Sequence, residues 1–92
     1  MTNDMNDLLR SIQCLARTMA SESGLYVTYT EHMHTHSLGA EVYVQHYDGE
    51  TYRHEWFKGS TTPTLTTEVN LEEMHEAMMT WLVEHRKAKE AA

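Results

Sequence analysis

Three histidines alternate in the segment HMHTH at residues 32–36. Alternate side chains of a β-strand point to the same side, so imidazoles with this spacing can share a zinc, nickel or copper ion. His32, His34 and His36 are therefore candidate ligands of a small metal-binding module. The alternative is that they are solvated surface histidines. Glu31 or His46 could complete the ligand shell. We expect no resident metal or other cofactor, because an ordered site also needs second-shell partners that this pattern does not show.

Motifs of enzymatic catalysis are absent from the sequence. No serine stands in a G-x-S-x-G turn, and neither a G-x-G-x-x-G loop nor a P-loop occurs. The single cysteine, Cys14, excludes an internal disulfide and a cysteine-based zinc site. It falls opposite the apolar stripe of its predicted helix, where a surface thiol is expected. These observations predict a protein that is not an enzyme.

Two segments have the periodicity of amphipathic helices. Residues 4–21 carry an apolar stripe with 3.6-residue spacing, and Gly24 is a natural stop. Residues 71–88 follow Asn70, which can cap the helix together with Glu73. The core stripe of this second helix is Leu71, Met74, Met78, Trp81, Leu82 and His85.

Three segments between these helices read as strands, at residues 25–33, 40–47 and 50–58. Two hairpin registers compete around Asp48-Gly49. A two-residue loop pairs Val44 with Arg53 and places charges on the apolar face. A three-residue loop pairs Val44 with Tyr52, and Ala40 with Trp56. Since a one-residue slip moves every side chain to the other face, the apolar pattern favours the three-residue loop.

The predicted fold is a single α+β domain over residues 1–92, with the order α-β-β-β-α. A three-stranded antiparallel meander buries one face under both helices and leaves its other face open. That open face is expected to carry Tyr26, Thr28, His32, His34, Tyr43, Gln45, Tyr47, Arg53, Glu55 and Phe57.

The net charge of −7 bears on the partner. An acidic middle segment attracts basic protein grooves and repels a phosphate backbone, although simple solubility is the alternative explanation. Double-stranded RNA-binding domains share the predicted element order but bind phosphate with lysines at the start of their second helix. Here that turn contains Glu72, Glu73 and Glu76, so the resemblance stops at topology. Stacking of single-stranded bases on the open aromatic face is a further alternative.

Protein binding explains the predicted surface best, because exposed aromatic side chains beside an arginine resemble a binding hot spot. The predicted partner-binding residues are Tyr26, Glu41, Tyr43, Tyr47, Glu50, Arg53, Glu55 and Phe57. A second candidate contact is the apolar pair Met79 and Val83 on the second helix. The alternative function that it predicts is a self-associating, dimeric accessory protein without catalytic activity.

A short, acidic, cysteine-poor α/β chain of this kind resembles the small phage-encoded anti-CRISPR proteins, and the type I-F inhibitors in particular. The resemblance covers the whole chain in size, charge and element order, and no shared motif carries it. It implies a stoichiometric inhibitor that docks on Cas subunits of a CRISPR surveillance complex, with guide-RNA contact as an incidental addition, and blocks recognition of target DNA. We expect a location in the cytoplasm, which is the host cytoplasm for a phage protein, because no signal peptide or membrane span is visible.

Overall fold

The computed structural model of the chain describes residues 3–34, 37–63 and 68–91. Along the chain it contains helix α1 (Asn3–Ser23), strands β1 (Tyr26–His34), β2 (Ser37–Tyr47), β3 (Tyr52–Ser60) and β4 (Val69–Asn70), and helix α2 (Leu71–Ala91). The α+β class is confirmed. Among the described residues, no helix has the length and apolar character needed to cross a membrane.

The sheet has four strands in the order β1-β2-β3-β4, so the prediction of a three-stranded meander was incomplete. Strands β1, β2 and β3 pair antiparallel as expected, whereas β4 is parallel to β3 through Gly59–Val69 and Ser60–Asn70. A strand of two residues is too short to produce a periodic pattern in the sequence. Its pairing with β3 depends on the path that the chain takes into α2.

Helix α1 runs to Ser23, two residues beyond the predicted segment 4–21 and directly before the predicted stop at Gly24. Gly24 adopts a φ of 71°, and its backbone N–H donates to the carbonyl of Ala20 at 2.9 Å. This left-handed residue closes the last turn of the helix, as glycine commonly does. The predicted apolar stripe faces the core, with Ile12 and Met19 fully buried, and Cys14 is exposed as expected.

Helix α2 begins with the predicted cap. The backbone N–H of Glu73 donates to Asn70 Oδ1 at 2.8 Å, and Asn70 Nδ2 donates to Glu73 Oε1 at 2.7 Å. The reciprocal pair satisfies an N–H group that the first turn of a helix would otherwise leave without a partner. The buried side chains of α2 are Leu71, Met74, Met78 and Leu82.

The core lies between the two helices and one face of β2. Leu38, Ala40, Val42 and Val44 alternate along β2 and are buried, and they belong to the same hydrophobic cluster as the stripes of both helices. Both helices therefore cover one face of the sheet, as predicted. A bidentate ion pair links the helices, since Arg86 donates to the two carboxylate oxygens of Glu22 at 2.8 and 2.6 Å.

The predicted register of the β2–β3 hairpin was wrong. Val44 lies opposite Glu55, Val42 opposite Phe57, and Ala40 opposite Gly59, so the connecting loop has four residues, from 48 to 51. Every side chain of β3 consequently lies on the face opposite to the one expected. Phe57 and Gly59 face the helices, and Trp56 faces away from them.

The side chain of Asp48 stabilises this longer loop. Its Oδ1 accepts hydrogen bonds from the backbone N–H groups of Glu50 and Thr51, each at 2.9 Å. Such a local turn offers the backbone an alternative to continuing the ladder. The hydrogen bonds from Thr51 and Glu50 also hold the pKa of the Asp48 carboxyl below its usual value, because they favour its charged form.

Candidate partner-binding face

The side of the sheet away from the helices carries most of the exposed aromatic surface of the described residues. We call it the open face. The register places on it Tyr26, Thr28, Thr30 and His32 from β1; Glu41, Tyr43, Gln45 and Tyr47 from β2; and Tyr52, His54, Trp56, Lys58 and Ser60 from β3. Four of its aromatic side chains are more than half exposed: Tyr26 63%, Tyr47 58%, Tyr52 60% and Trp56 56%.

The centre of the open face is the cross-strand pair of Tyr43 and Trp56. Their ring centroids lie 4.5 Å apart with planes inclined at 55°, and the ring of His54 lies 5.1 Å from that of Tyr43. Lys58 Nζ lies 5.1 Å from the centroid of the Trp56 ring, within the range of a cation–π contact. Neighbouring strands thus hold three rings and one ammonium group as a continuous surface.

A second aromatic pair stands at the hairpin end of the open face. The rings of Tyr47 and Tyr52 have centroids 4.7 Å apart and planes inclined at 31°. The hydroxyl of Tyr47 donates to the carbonyl of Gly49 at 3.0 Å, which anchors the ring against the loop. The two residues are the last facing pair before the loop, so the loop that Asp48 stabilises also sets their position.

The formal charges on the open face cancel. Glu41 lies between two nitrogen-bearing side chains, with Oε1 3.6 Å from Lys58 Nζ and Oε2 3.0 Å from His32 Nε2. Among the described residues of this face, Glu41 is the one acidic side chain and Lys58 is the one permanently charged basic side chain. The acidity of the chain therefore resides elsewhere, and the open face is close to neutral when its histidines are neutral.

The predicted partner-binding residues divide between the two sides of the sheet. Tyr26, Glu41, Tyr43 and Tyr47 lie on the open face, and Glu50 lies in the hairpin loop. Arg53, Glu55 and Phe57 lie on the helix side, because the register differs from the predicted one. The open face gains in their place Tyr52, His54, Trp56 and Lys58, which the prediction had assigned to the buried side.

Gly59 is the sequence signal that could have identified the correct face of β3. A glycine inside a strand often marks a close approach of another backbone or side chain. An added Cβ at Gly59 would lie 2.9 Å from the Cβ of Met74 on α2, so the helix packs directly against this position. Placing Gly59 toward the helices puts Phe57 there as well and turns Trp56 outward.

Glu55 has a structural role on the helix side. Its Oε2 accepts a hydrogen bond from the indole Nε1–H of Trp81 on α2 and lies 3.2 Å from His46 Nε2. His85 stacks on Trp81 with ring centroids 5.3 Å apart and planes inclined at 6°. The cluster fastens α2 to β2 and β3 beyond the end of the apolar core, which accounts for a carboxylate on this face.

The histidine cluster is only partly within the described residues. His32 lies on the open face beside Glu41, whereas the side chain of His34 and all of His36 lie outside the described part. Within the described residues, no group of three histidine, cysteine or acidic side chains is arranged to hold a metal ion. The metal-binding hypothesis for His32, His34 and His36 stays a prediction.

Comparisons with known proteins found no protein-family model, no curated protein and no solved structure that matches this chain.

Proposed function

We propose that this protein is a non-catalytic binding protein that engages a partner protein through the open face. The observation that carries the proposal is an aromatic surface on the open face, in which four rings more than half exposed to solvent surround the half-buried Tyr43: Tyr26, Tyr47, Tyr52 and Trp56. Tyrosine and tryptophan are enriched at binding hot spots because each presents a large, rigid contact area with a polar end.

The charge of the open face favours protein over nucleic acid as the partner. Binding of a nucleic acid draws much of its affinity from neutralised phosphates. The described residues of the face supply one permanent cation, Lys58, which already contacts Glu41 and Trp56. Stacking alone would leave the phosphates of a bound strand without partners, so an aromatic face of this charge suits a protein surface better.

The resemblance to phage anti-CRISPR proteins supplies the proposed partner class. In this proposal the chain docks on Cas subunits of a CRISPR surveillance complex and blocks recognition of target DNA by occupying a surface, without chemistry. Electrostatic attraction at the docked surface would come from the loop acid Glu50. The exposed acids Glu72 and Glu73 in the first turn of α2 lie on the other side of the sheet and act only on the approach of the partner. Glu55 keeps its charge but lies on the helix side, where its carboxylate accepts a hydrogen bond from Trp81, so it does not face a partner docked on the open face.

The experiment measures binding of target DNA by a purified type I-F surveillance complex with the wild-type chain added in equimolar amount. We expect inhibition by the wild type, weakened about tenfold or more by Trp56→Ala. Met33→Ala is the matched control, since Met33 is an exposed apolar residue of β1, 75% accessible, and lies on the side of the sheet away from the open face. Inhibition that Trp56→Ala leaves unchanged would refute the role of the face, and an inert wild-type chain would refute the partner class.

A second candidate function is self-association through α2. Met79 and Val83 are each 39% exposed and stand one turn apart on the outer side of the helix. Such a strip can form the contact of a dimer. Sedimentation of the wild type and of Val83→Glu at several concentrations tests this, because a wild-type monomer at every concentration would eliminate the dimer.

A further inference from the structure

The hydrogen-bonding groups of the open face limit what can bind there. Within the described residues, the indole N–H of Trp56 and the hydroxyls of Tyr26, Tyr43 and Tyr52 have no partner inside the chain, whereas the hydroxyl of Tyr47 does. The carboxylate of Glu41 is already shared by His32 and Lys58. The indole N–H of Trp56 can only donate and the tyrosine hydroxyls can donate as well as accept, while the one carboxylate is occupied, so the face can serve a partner that offers acceptors.

Neutrality of the open face restricts the partner further. Because the charges of Glu41 and Lys58 cancel, neither a strongly acidic nor a strongly basic peptide gains from docking over the aromatic rings. An uncharged segment with outward-pointing carbonyl groups is the complementary chemistry. A proline-rich segment has this character, since proline lacks a backbone N–H and a polyproline II helix leaves its carbonyls without internal hydrogen bonds.

The spacing of the two aromatic pairs agrees with that conformation. Along β2, Tyr43 and Tyr47 are four residues apart, which corresponds to about 13 Å at the rise of a β-strand. A polyproline II helix rises about 3.1 Å per residue, so about four residues of it span the distance between the pairs. Aromatic-lined grooves are a general means of docking such segments, because proline rings pack on flat aromatic faces and the segment loses little entropy on binding.

We propose that the open face binds a proline-rich segment of a partner protein in the polyproline II conformation. One proline ring packs on the Tyr43–Trp56 pair, and the segment reaches the Tyr47–Tyr52 pair about four residues further on. The indole N–H of Trp56 donates to a carbonyl of the segment. This inference rests on the proposed function, because it names the chemistry of the partner that the same face engages.

Decaproline is the probe, and the two tryptophans make the experiment specific. Trp56 lies on the open face and Trp81 lies against β3 on the helix side. Trp81→Phe leaves Trp56 as the fluorescent reporter, and Trp56→Phe leaves Trp81. We expect decaproline to change the fluorescence emission of the wild type and of Trp81→Phe, and to leave the emission of Trp56→Phe unchanged. Its affinity for Tyr43→Ala should be at least about tenfold lower than for the wild type.

Amide chemical shifts of the isotope-labelled wild-type chain provide a second measurement that needs no variant. Decaproline should shift amides of β2 and β3 around residues 43, 47, 52 and 56, and a glycine–serine peptide of equal length should not. Any one of three results with the peptides overturns the proposal: no shift at millimolar decaproline, shifts confined to the helices, or equal shifts from the glycine–serine peptide. The proposal is also overturned if a deoxythymidine decamer shifts these amides and decaproline does not, which would identify single-stranded nucleic acid as the ligand.

Failure of this inference is distinguishable from failure of the proposed function. If decaproline does not bind but Trp56→Ala still abolishes inhibition of the surveillance complex, the face is a binding site for a partner of other chemistry. If Trp56→Ala changes neither measurement, the proposed function of the open face fails together with the inference.

Discussion

Replacement of Gly59 by alanine tests the arrangement on which the open face depends. Gly59 lies in β3 beneath the first turns of α2. An added Cβ would lie 2.9 Å from both Cβ and Sδ of Met74, and 3.3 Å from Cδ2 of Leu71. The sulfur of Met74 can rotate away, but its Cβ is attached to the helix backbone. The substitution therefore forces α2 away from the sheet.

The magnitude follows from two opposing effects. Overpacking a well-packed core costs about 1–3 kcal/mol. Gly→Ala also restricts the unfolded chain, which stabilises a protein by about 0.4–1 kcal/mol where the native conformation accepts alanine. Gly59 has no left-handed φ that alanine would resist. We expect the clash to prevail, with a net loss of about 1–2 kcal/mol in the free energy of unfolding.

Urea denaturation followed by far-UV circular dichroism measures this loss. Gly39→Ala is the matched control, because its added Cβ would meet one tight contact, the Gly59 carbonyl oxygen at 3.2 Å, and nothing from α2. Both variants restrict the unfolded chain equally, so their difference in stability compares the clash with the helix at 2.9 Å with the milder contact of Gly39 at 3.2 Å. Under the register predicted from the sequence, Gly59 would lie on the open face. A midpoint for Gly59→Ala equal to or above that of the wild type would therefore refute the observed arrangement.

Three further predictions concern stability. Trp56→Ala should cost less than about 1.5 kcal/mol, the worth of an aromatic pair, whereas Phe57→Ala should cost about 2 kcal/mol or more, and the reverse order in urea denaturation would contradict the face assignment. Asn70→Ala should lower the free energy of unfolding by about 0.5–2 kcal/mol through loss of the α2 cap, and Asn70→Asp, which keeps an acceptor, should lose much less if capping is the cause. The Arg86 guanidinium holds the pKa of the Glu22 carboxyl below its ordinary value of 4.5, so the pair stabilises the fold above that pH and loses its effect as the pH falls through the lowered pKa. The difference in melting temperature between the wild type and Glu22→Gln should therefore shrink as the pH falls below 4.5. A difference that stays constant with pH would argue against the ion pair.

Local interactions account for what could be predicted about the candidate site. The strand content of β1 and β2, and the position of Tyr26, Tyr43 and Tyr47 on the open face, follow from alternation that is visible in the sequence. Alternation in the sequence does not show which side chains of β3 lie on the open face. Its two faces carry Tyr52 and Trp56 on one side and Phe57 on the other, so apolar content alone favours burying the wrong side.

The sequence by itself determined the two helices, the stop of α1 at Gly24 and the start of α2 after Asn70, because these signals act over a few residues. Gly24 closes α1 with a bond to Ala20, and Asn70 caps α2 through Glu73, so each end is decided by neighbours along the chain. Only the tertiary structure decided which side of β3 faces the partner. The close approach of Met74 to Gly59 is a contact between distant segments, and it turns the aromatic side chains of β3 outward to complete the open face.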